Sequence, residues 1–190
     1  MKNFKGKGRS MWVKNGKGLV LWLCGLAGSG KSTIGKALYE RIKQEIPNVV
    51  YLDGDELRDL LGAYGYDKQG RIEVALKRSA FAHFLSSQGL VVVVTTISLF
   101  DEVYAYNRKT LQNYLEIYVE CPMEELQRRD QKGLYSGALK GEIQNVVGVD
   151  IPFVKPNADI ILPNDTPKDL EQKVQSILNQ IKKKEANETR

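Results

Sequence analysis

Apolar residues in this chain fall into two patterns. Some form short unbroken blocks, and others recur every three or four positions over longer stretches. Residues 19–24, 49–52, 90–94, 115–121 and 158–162 are blocks of the first kind, read as strands buried on both faces. Helical spacing runs through 33–43, where Ile34, Ala37, Leu38 and Ile42 share a face, and through 170–184, where Leu170, Val174, Ile177, Leu178 and Ile181 do the same. A short helix is expected over 56–61, a longer one over 72–87 and a further one over 100–113, with another starting at Pro122. Glycines set the loops at 62–70 and a basic, mobile segment at 133–141. Strands alternating with helices predict an α/β fold: a mostly parallel five-stranded sheet in a three-layer α/β/α domain. Residues 1–18, rich in glycine and lysine, read as an irregular basic arm before a domain at 19–184, with 185–190 as a tail.

Composition narrows this picture only modestly. A chain of 190 residues, 42% hydrophobic and 27% charged, is long enough for one substantial core and lacks the bias of a disordered polypeptide. The net charge of +5 favours phosphate-bearing partners. Part of it sits at the ends, in Lys2, Lys5, Lys7 and Arg9 and in Lys182, Lys183 and Lys184, which read as solvated termini. No aromatic-rich basic surface repeats, so a nucleic-acid partner is not expected. Cys24 and Cys121 each end an apolar block and lack a Cys/His cluster, which points to buried thiols and away from zinc or a disulfide framework. The apolar blocks are too short to span a bilayer and no signal-peptide pattern opens the chain, so a cytoplasmic enzyme with no membrane partner is expected.

The chemistry begins where the first block ends. Gly25-Leu26-Ala27-Gly28-Ser29-Gly30-Lys31-Ser32 lies between a strand and a helix, the context of a phosphate-binding P-loop. Backbone N–H groups from Gly28 to Thr33 can surround phosphate oxygens, Lys31 can pair with the β- and γ-phosphates of ATP, and the Ser32 hydroxyl can ligate Mg²⁺. The block at 90–94 carries no carboxylate, so Asp53 and Asp55, at the end of the second strand, are the acidic candidates. Asp53 can organise Mg²⁺-bound water and Asp55 can orient an attacking hydroxyl or accept its proton; the same pair can also cap a helix. Arg58, Arg71, Arg108 and Arg128 follow predicted sheet elements and are candidate clamps for an anionic acceptor or the ATP base.

These motifs, together with Leu52-Asp53-Gly54-Asp55-Glu56-Leu57-Arg58, Ile97-Ser98, Arg129-Asp130-Gln131-Lys132-Gly133-Leu134-Tyr135 and Gly141-Glu142-Ile143, give a chain that resembles the adenylylsulfate kinase family over about 18–163. The resemblance implies transfer of the ATP γ-phosphate to the 3'-hydroxyl of a nucleotide ribose. Lys31, Asp55 and Ser98 carry catalytic assignments. The stretch Gly25-Leu26-Ala27-Gly28-Ser29-Gly30-Lys31-Ser32-Thr33 and Arg128 hold ATP, and Ser32 and Asp53 hold Mg²⁺. The acceptor nucleotide is assigned to Asp53, Asp55, Arg58, Arg71, Ile97, Ser98, Lys132, Gly133 and Leu134. The last three belong to a closing lid near 128–148. Ser98 is expected to touch the substrate first and to act as a phosphorylated intermediate only second, because direct in-line transfer already has the parts it needs. The resemblance also implies a homodimer.

Several positions depart from the family pattern. Val74 stands for an acceptor-binding asparagine, Leu76, Tyr104 and Leu139 for arginines, Leu99 for a proline, Gly137 for a lysine and Val146 for a phenylalanine. These changes remove charged and planar contacts on the acceptor side and leave the donor side intact. With Gly65-Tyr66-Asp67 and Ile97-Ser98-Leu99-Phe100, the pattern is similar to cytidine diphosphoramidate kinases of capsular phosphoramidate biosynthesis. That resemblance makes cytidine diphosphoramidate the expected acceptor, ahead of adenylylsulfate; a module that binds ATP without catalysis is the alternative outside enzymology.

Overall fold

A computed structural model describes residues 11–62, 65–166 and 169–188. Five strands form one sheet in the order β4-β5-β3-β6-β7, with every neighbour parallel: β3 is Val20–Cys24, β4 Val49–Asp53, β5 Val91–Thr96, β6 Tyr114–Glu120 and β7 Ile160–Pro163. The central strand β3 pairs with β5 through Leu21↔Val93 and with β6 through Leu21↔Leu115. The chain leaves β3 where strand order reverses, the crevice at which open α/β sheets bind ligands.

The alternation along β3 explains the layers. Leu21 and Leu23 face helix α1 (Lys31–Lys43) and helix α7 (Leu170–Glu188), packing with Ile34, Leu38, Ile42, Val174, Ile177 and Ile181. Val20, Trp22 and Cys24 face the opposite layer, built on α3 (Lys68–Ser87) and α4 (Asp101–Thr110), and pack with Ala75, Ala82 and Val103. Leu21, Leu23, Ile34, Leu38 and Ile42 are each no more than 2% exposed, and burying a side chain of this size stabilises by about 1.5–3 kcal/mol.

The structure differs from the sequence expectation in five places. Residues 11–18 are not irregular: β1 (Val13–Lys14) and β2 (Lys17–Gly18) form an antiparallel hairpin and Trp12 is buried. Asn15 and Gly16, both at positive φ, make the two-residue turn that such hairpins favour. The remainder of the expected arm, including Lys2, Lys5, Lys7 and Arg9, lies outside the described residues. Helix α2 (Gly54–Leu61) starts two residues early because Asp53 caps it, and α3 starts at Lys68 because the Asp67 carboxylate accepts the Gly70 N–H at 2.8 Å. The segment expected to be mobile at 133–141 contains helix α6 (Leu134–Leu139), which follows α5 (Met123–Arg129) and a 3-10 turn over Gln131–Gly133. Finally, α7 runs on to Glu188, through most of the expected tail.

Candidate active site

The P-loop leaves β3 with Gly28 and Gly30 at φ 75° and 93°, and Gly30 caps α1 without any side-chain bond. A side chain at Gly30 would be strained and would also collide with Asn164 Nδ2. The loop therefore presents backbone N–H groups at the start of a 13-residue helix, an arrangement suited to phosphate. Lys31 folds back to donate to the Leu26 carbonyl at 3.3 Å. Burial lowers its amine to about 8, and the facing carboxylates of Asp55 and Asp53 oppose that fall. Ser32 and Thr33 are exposed in the first turn.

Asp53 stands beside this loop at the end of β4. Its Oδ1 accepts the Asp55 N–H at 2.9 Å, and its Oδ2 accepts from the hydroxyls of Tyr51 at 3.1 Å and Thr95 at 3.2 Å. Tyr51 Oη also lies 3.4 Å from the Ser32 carbonyl, so one hydroxyl joins the acidic turn to the start of α1. Burial pushes the Asp53 carboxyl up, but the bonds from Asp55, Tyr51 and Thr95 outweigh it and hold the group below its usual value. Asp53 thus caps a helix and faces the P-loop at once, and Asp55 is exposed on the first turn of α2. The donor set of Ser32 and Asp53 fits Mg²⁺, which keeps much of its water and binds through one or two carboxylates plus substrate phosphates.

Two of the acceptor candidates, Arg58 and Arg71, meet at Tyr66. The guanidinium of Arg58 lies 4.1 Å from that ring and donates to the Gly65 carbonyl at 2.6 Å. Arg71 approaches the same ring at 5.5 Å, donates to the Tyr66 carbonyl at 2.7 Å and reaches the Asn145 carbonyl at 2.7 Å. Arg71 therefore connects the start of α3 to the end of the lid. Ile97 is half-buried, but Ser98 is fully buried and its hydroxyl accepts Trp22 Nε1–H at 3.1 Å. Its side chain is turned into the core.

The segment expected to form the lid contacts the P-loop. Tyr135, 1% exposed, donates its hydroxyl to the Ala27 carbonyl at 2.8 Å, and Arg129 donates to the Gly28 carbonyl at 3.1 Å. Asp130 Oδ1 accepts the N–H groups of Tyr135 at 2.9 Å and Ser136 at 3.1 Å, which starts α6. Lys132 is exposed, and Gly133 and Leu134 are half-buried. Arg128 is exposed and forms a bidentate pair with Glu125 at 2.6 and 2.8 Å. Arg129 also donates to the Asn164 carbonyl at 2.8 Å, and Asn164 Nδ2 donates to the Ser29 carbonyl at 2.6 Å while its Oδ1 accepts from Lys173 of α7 at 2.5 Å.

Sequence reasoning overlooked Tyr51, Tyr66, Arg78, Thr95, Tyr135 and Asn164 as site-building groups. Four of these left a signal: Tyr66 and Tyr135 stand inside the motifs quoted above, Thr95 is a polar residue ending an apolar block, and Arg78 interrupts the apolar face of a helix. Arg108 does not join the site. It pairs with Glu116 at 3.2 Å and Asp159 at 2.9 Å near the beginning of β6, whereas the P-loop lies at the opposite, carboxyl end of the sheet.

Comparison with known proteins agrees with this geometry. The family model for adenylylsulphate kinase matches residues 17–162. Cytidine diphosphoramidate kinase of Campylobacter jejuni subsp. jejuni serotype O:2 is 60% identical over 162 residues, covering 85% of this chain and 95% of its own. An adenylyl-sulfate kinase of Clostridium acetobutylicum is 38% identical, covering 94% and 90%. Among solved structures, the Mycobacterium tuberculosis APS kinase CysC in complex with AMPPNP and APS superposes with a TM-score of 0.79 at 34% identity, covering 87% of this chain and 98% of that one. With the acidic turn and residues 129–135 both joined to the P-loop and the start of α1, and a family match over residues 17–162, the chain belongs to the adenylylsulphate kinase family of P-loop kinases.

Proposed function

We propose that the protein transfers the γ-phosphate of ATP to the ribose 3'-hydroxyl of cytidine diphosphoramidate. The observation carrying this reading is the 60% identity with the Campylobacter jejuni cytidine diphosphoramidate kinase, against 38% for the adenylyl-sulfate kinase of Clostridium acetobutylicum. The acceptor-side packing supports it. Gly137 is buried, and a side chain there would meet Ile143 at 2.6 Å, so the family lysine would enter only if Ile143 moved. Val146 is buried in the core, and Tyr104 spends its hydroxyl on the Val154 carbonyl at 2.7 Å. At these three positions packing stands where the family pattern has charged or planar acceptor contacts.

In this mechanism the P-loop amides and Lys31 bind the triphosphate and compensate charge on the transferred phosphoryl group. Ser32 and Asp53 would hold Mg²⁺, whose charge neutralises phosphate oxygens when bound. Asp55 receives the 3'-hydroxyl as a hydrogen-bond donor and takes its proton as the oxygen attacks in line. Arg58 and Arg71 bind the acceptor phosphate oxygens, with Ile97 and the backbone at Ser98 lining that side. Lys132, Gly133 and Leu134 close over the substrates, excluding water that would otherwise compete as acceptor. Arg128 approaches the ATP base after leaving Glu125. A cytoplasmic location, where ATP is available, and assembly as a homodimer belong to the same proposal; light scattering of the purified protein measures the latter.

The test is incubation of purified protein with ATP and Mg²⁺ against cytidine diphosphoramidate and adenylylsulfate in separate reactions, with products identified by mass spectrometry. The expected product is cytidine diphosphoramidate bearing one further phosphate on its 3'-oxygen. Phosphorylation of adenylylsulfate alone would reject this choice of acceptor.

A further inference from the structure

Arg78 is the one arginine that α3 turns into the protein among its described residues. Its neighbours on that face, Ala75 and Ala82, are buried, and Arg78 itself is only 3% exposed. Nη1 donates to the Thr96 hydroxyl at 2.6 Å and Nη2 to the Gly54 carbonyl at 2.8 Å, while Nε has no hydrogen-bond partner. Both acceptors are neutral. A buried guanidinium loses several kcal/mol of hydration, and an apolar residue of similar size in such a place is often neutral or stabilising. Packing alone therefore does not account for an arginine here.

Its two bonds end at informative places. Gly54 separates Asp53 from Asp55 and opens α2; Thr96 ends β5, immediately before Ile97 and Ser98. The turn presses closely on β5, since a side chain at Gly54 would meet the Thr95 carbonyl at 2.7 Å. Arg78 thus bridges the two strand ends that carry the proposed base and the acceptor-side turn. We infer that Arg78 is a positioning residue for phosphoryl transfer: its fork fixes the Asp53-Gly54-Asp55 turn against β5, and its charge lies behind both carboxylates without touching substrate.

The electrostatics agree with that placement. Burial lowers the Arg78 guanidinium to about 10, Arg58 acts in the same direction, and Asp55 and Asp53 oppose both. Its influence is therefore exchanged with the acidic turn and with Arg58 on the acceptor side. The donor phosphates have a separate cradle in the P-loop, which Arg78 does not contact in the bonds above. A small displacement of Asp55 should slow transfer without weakening ATP binding, because rate depends steeply on alignment of the reacting groups.

This inference rests on the kinase reading above. It is tested by steady-state kinetics with ATP and cytidine diphosphoramidate for wild type, Arg78→Met, Arg78→Lys and Thr96→Val, with melting temperatures measured in parallel. Arg78→Met should lower kcat about 10- to 100-fold while KM for ATP stays within about twofold. Arg78→Lys, which keeps the charge but not the fork, should recover part of that loss. Thr96→Val removes one acceptor and leaves the charge, so kcat should fall several-fold even if Arg78→Met does not fold. Wild-type kcat in either Arg78→Met or Thr96→Val would overturn the positioning role, as would a loss that Arg78→Lys leaves unrelieved and that follows the melting temperature. A wild-type protein that phosphorylates no nucleotide would overturn the kinase reading and this inference together.

Discussion

Lys31 shows how one side chain can make donor binding depend on pH. Its amine is lowered to about 8 by burial, so in the ATP-free protein it loses its proton as pH rises through that value. A triphosphate binds the protonated form better. ATP binding should therefore take up a proton above pH 8, and affinity should fall by up to about tenfold per pH unit there. Calorimetric titration at pH 7, 8 and 9 in buffers of different ionisation enthalpy measures both effects; affinity constant across that range would contradict the assignment. Ser98 offers a contrasting case. Its hydroxyl accepts from buried Trp22, so Ser98→Ala should cost about 1–3 kcal/mol of stability by leaving that N–H unpaired, and should retain most turnover. Asp55→Asn should instead keep stability and lose turnover by about 10²-fold or more. Abolished turnover in folded Ser98→Ala would favour a phosphoserine intermediate. The placement of Lys31 at the start of α1 and of Asp55 at the start of α2 was legible because motif and context occur together in the sequence. The inward turn of Ser98 was not, since it depends on a tryptophan 76 positions away.

Among the elements, the lid shows most clearly what hydrophobic patterning misses. The glycine-rich stretch at 133–141 holds a short helix: Asp130 Oδ1 accepts the N–H groups of Tyr135 and Ser136, and the Tyr135 hydroxyl fastens α6 to the P-loop carbonyl of Ala27. Six residues are too few to show a helical period reliably, and the cap and the tyrosine bond appear only in three dimensions. Tyr135→Phe keeps the ring and removes this one bond. It should destabilise lid docking by about 1 kcal/mol and increase hydrogen exchange over 134–147, with little change in β3 or β6. Unchanged exchange in the lid would show that packing of the ring holds it without the hydroxyl. The hairpin at 13–18 teaches the opposite lesson. Asn15-Gly16 was a recognisable turn signal, but two-residue strands offer too little alternation to outweigh the abundance of glycine and lysine around them.

For the whole molecule, the parallel sheet was the most legible feature, because its buried strands are apolar on both faces and leave continuous runs in the sequence. Strand order, and with it the convergence on the P-loop, was not visible in those runs. Tyr135 and Arg129 hold the loop from the lid, Asn164 holds it after β7, and Lys173 extends that contact to α7. Elements distant in sequence thus share one phosphate cradle, so ATP binding should stabilise the domain as a unit instead of only ordering a local loop. At ATP concentrations near 100 times the dissociation constant, binding contributes about 2.7 kcal/mol, which corresponds to a rise of about 5–10 °C in melting temperature for a domain of this size. Calorimetry should show one transition moving upward in wild type, and a smaller shift for Lys31→Ala at the same ATP concentration. If a second transition containing α7 stayed in place as ATP was added, the contact through Asn164 and Lys173 would be too weak to couple that helix to the cradle. A single transition moving as a whole would instead mean that donor occupancy is felt across both layers of the sheet.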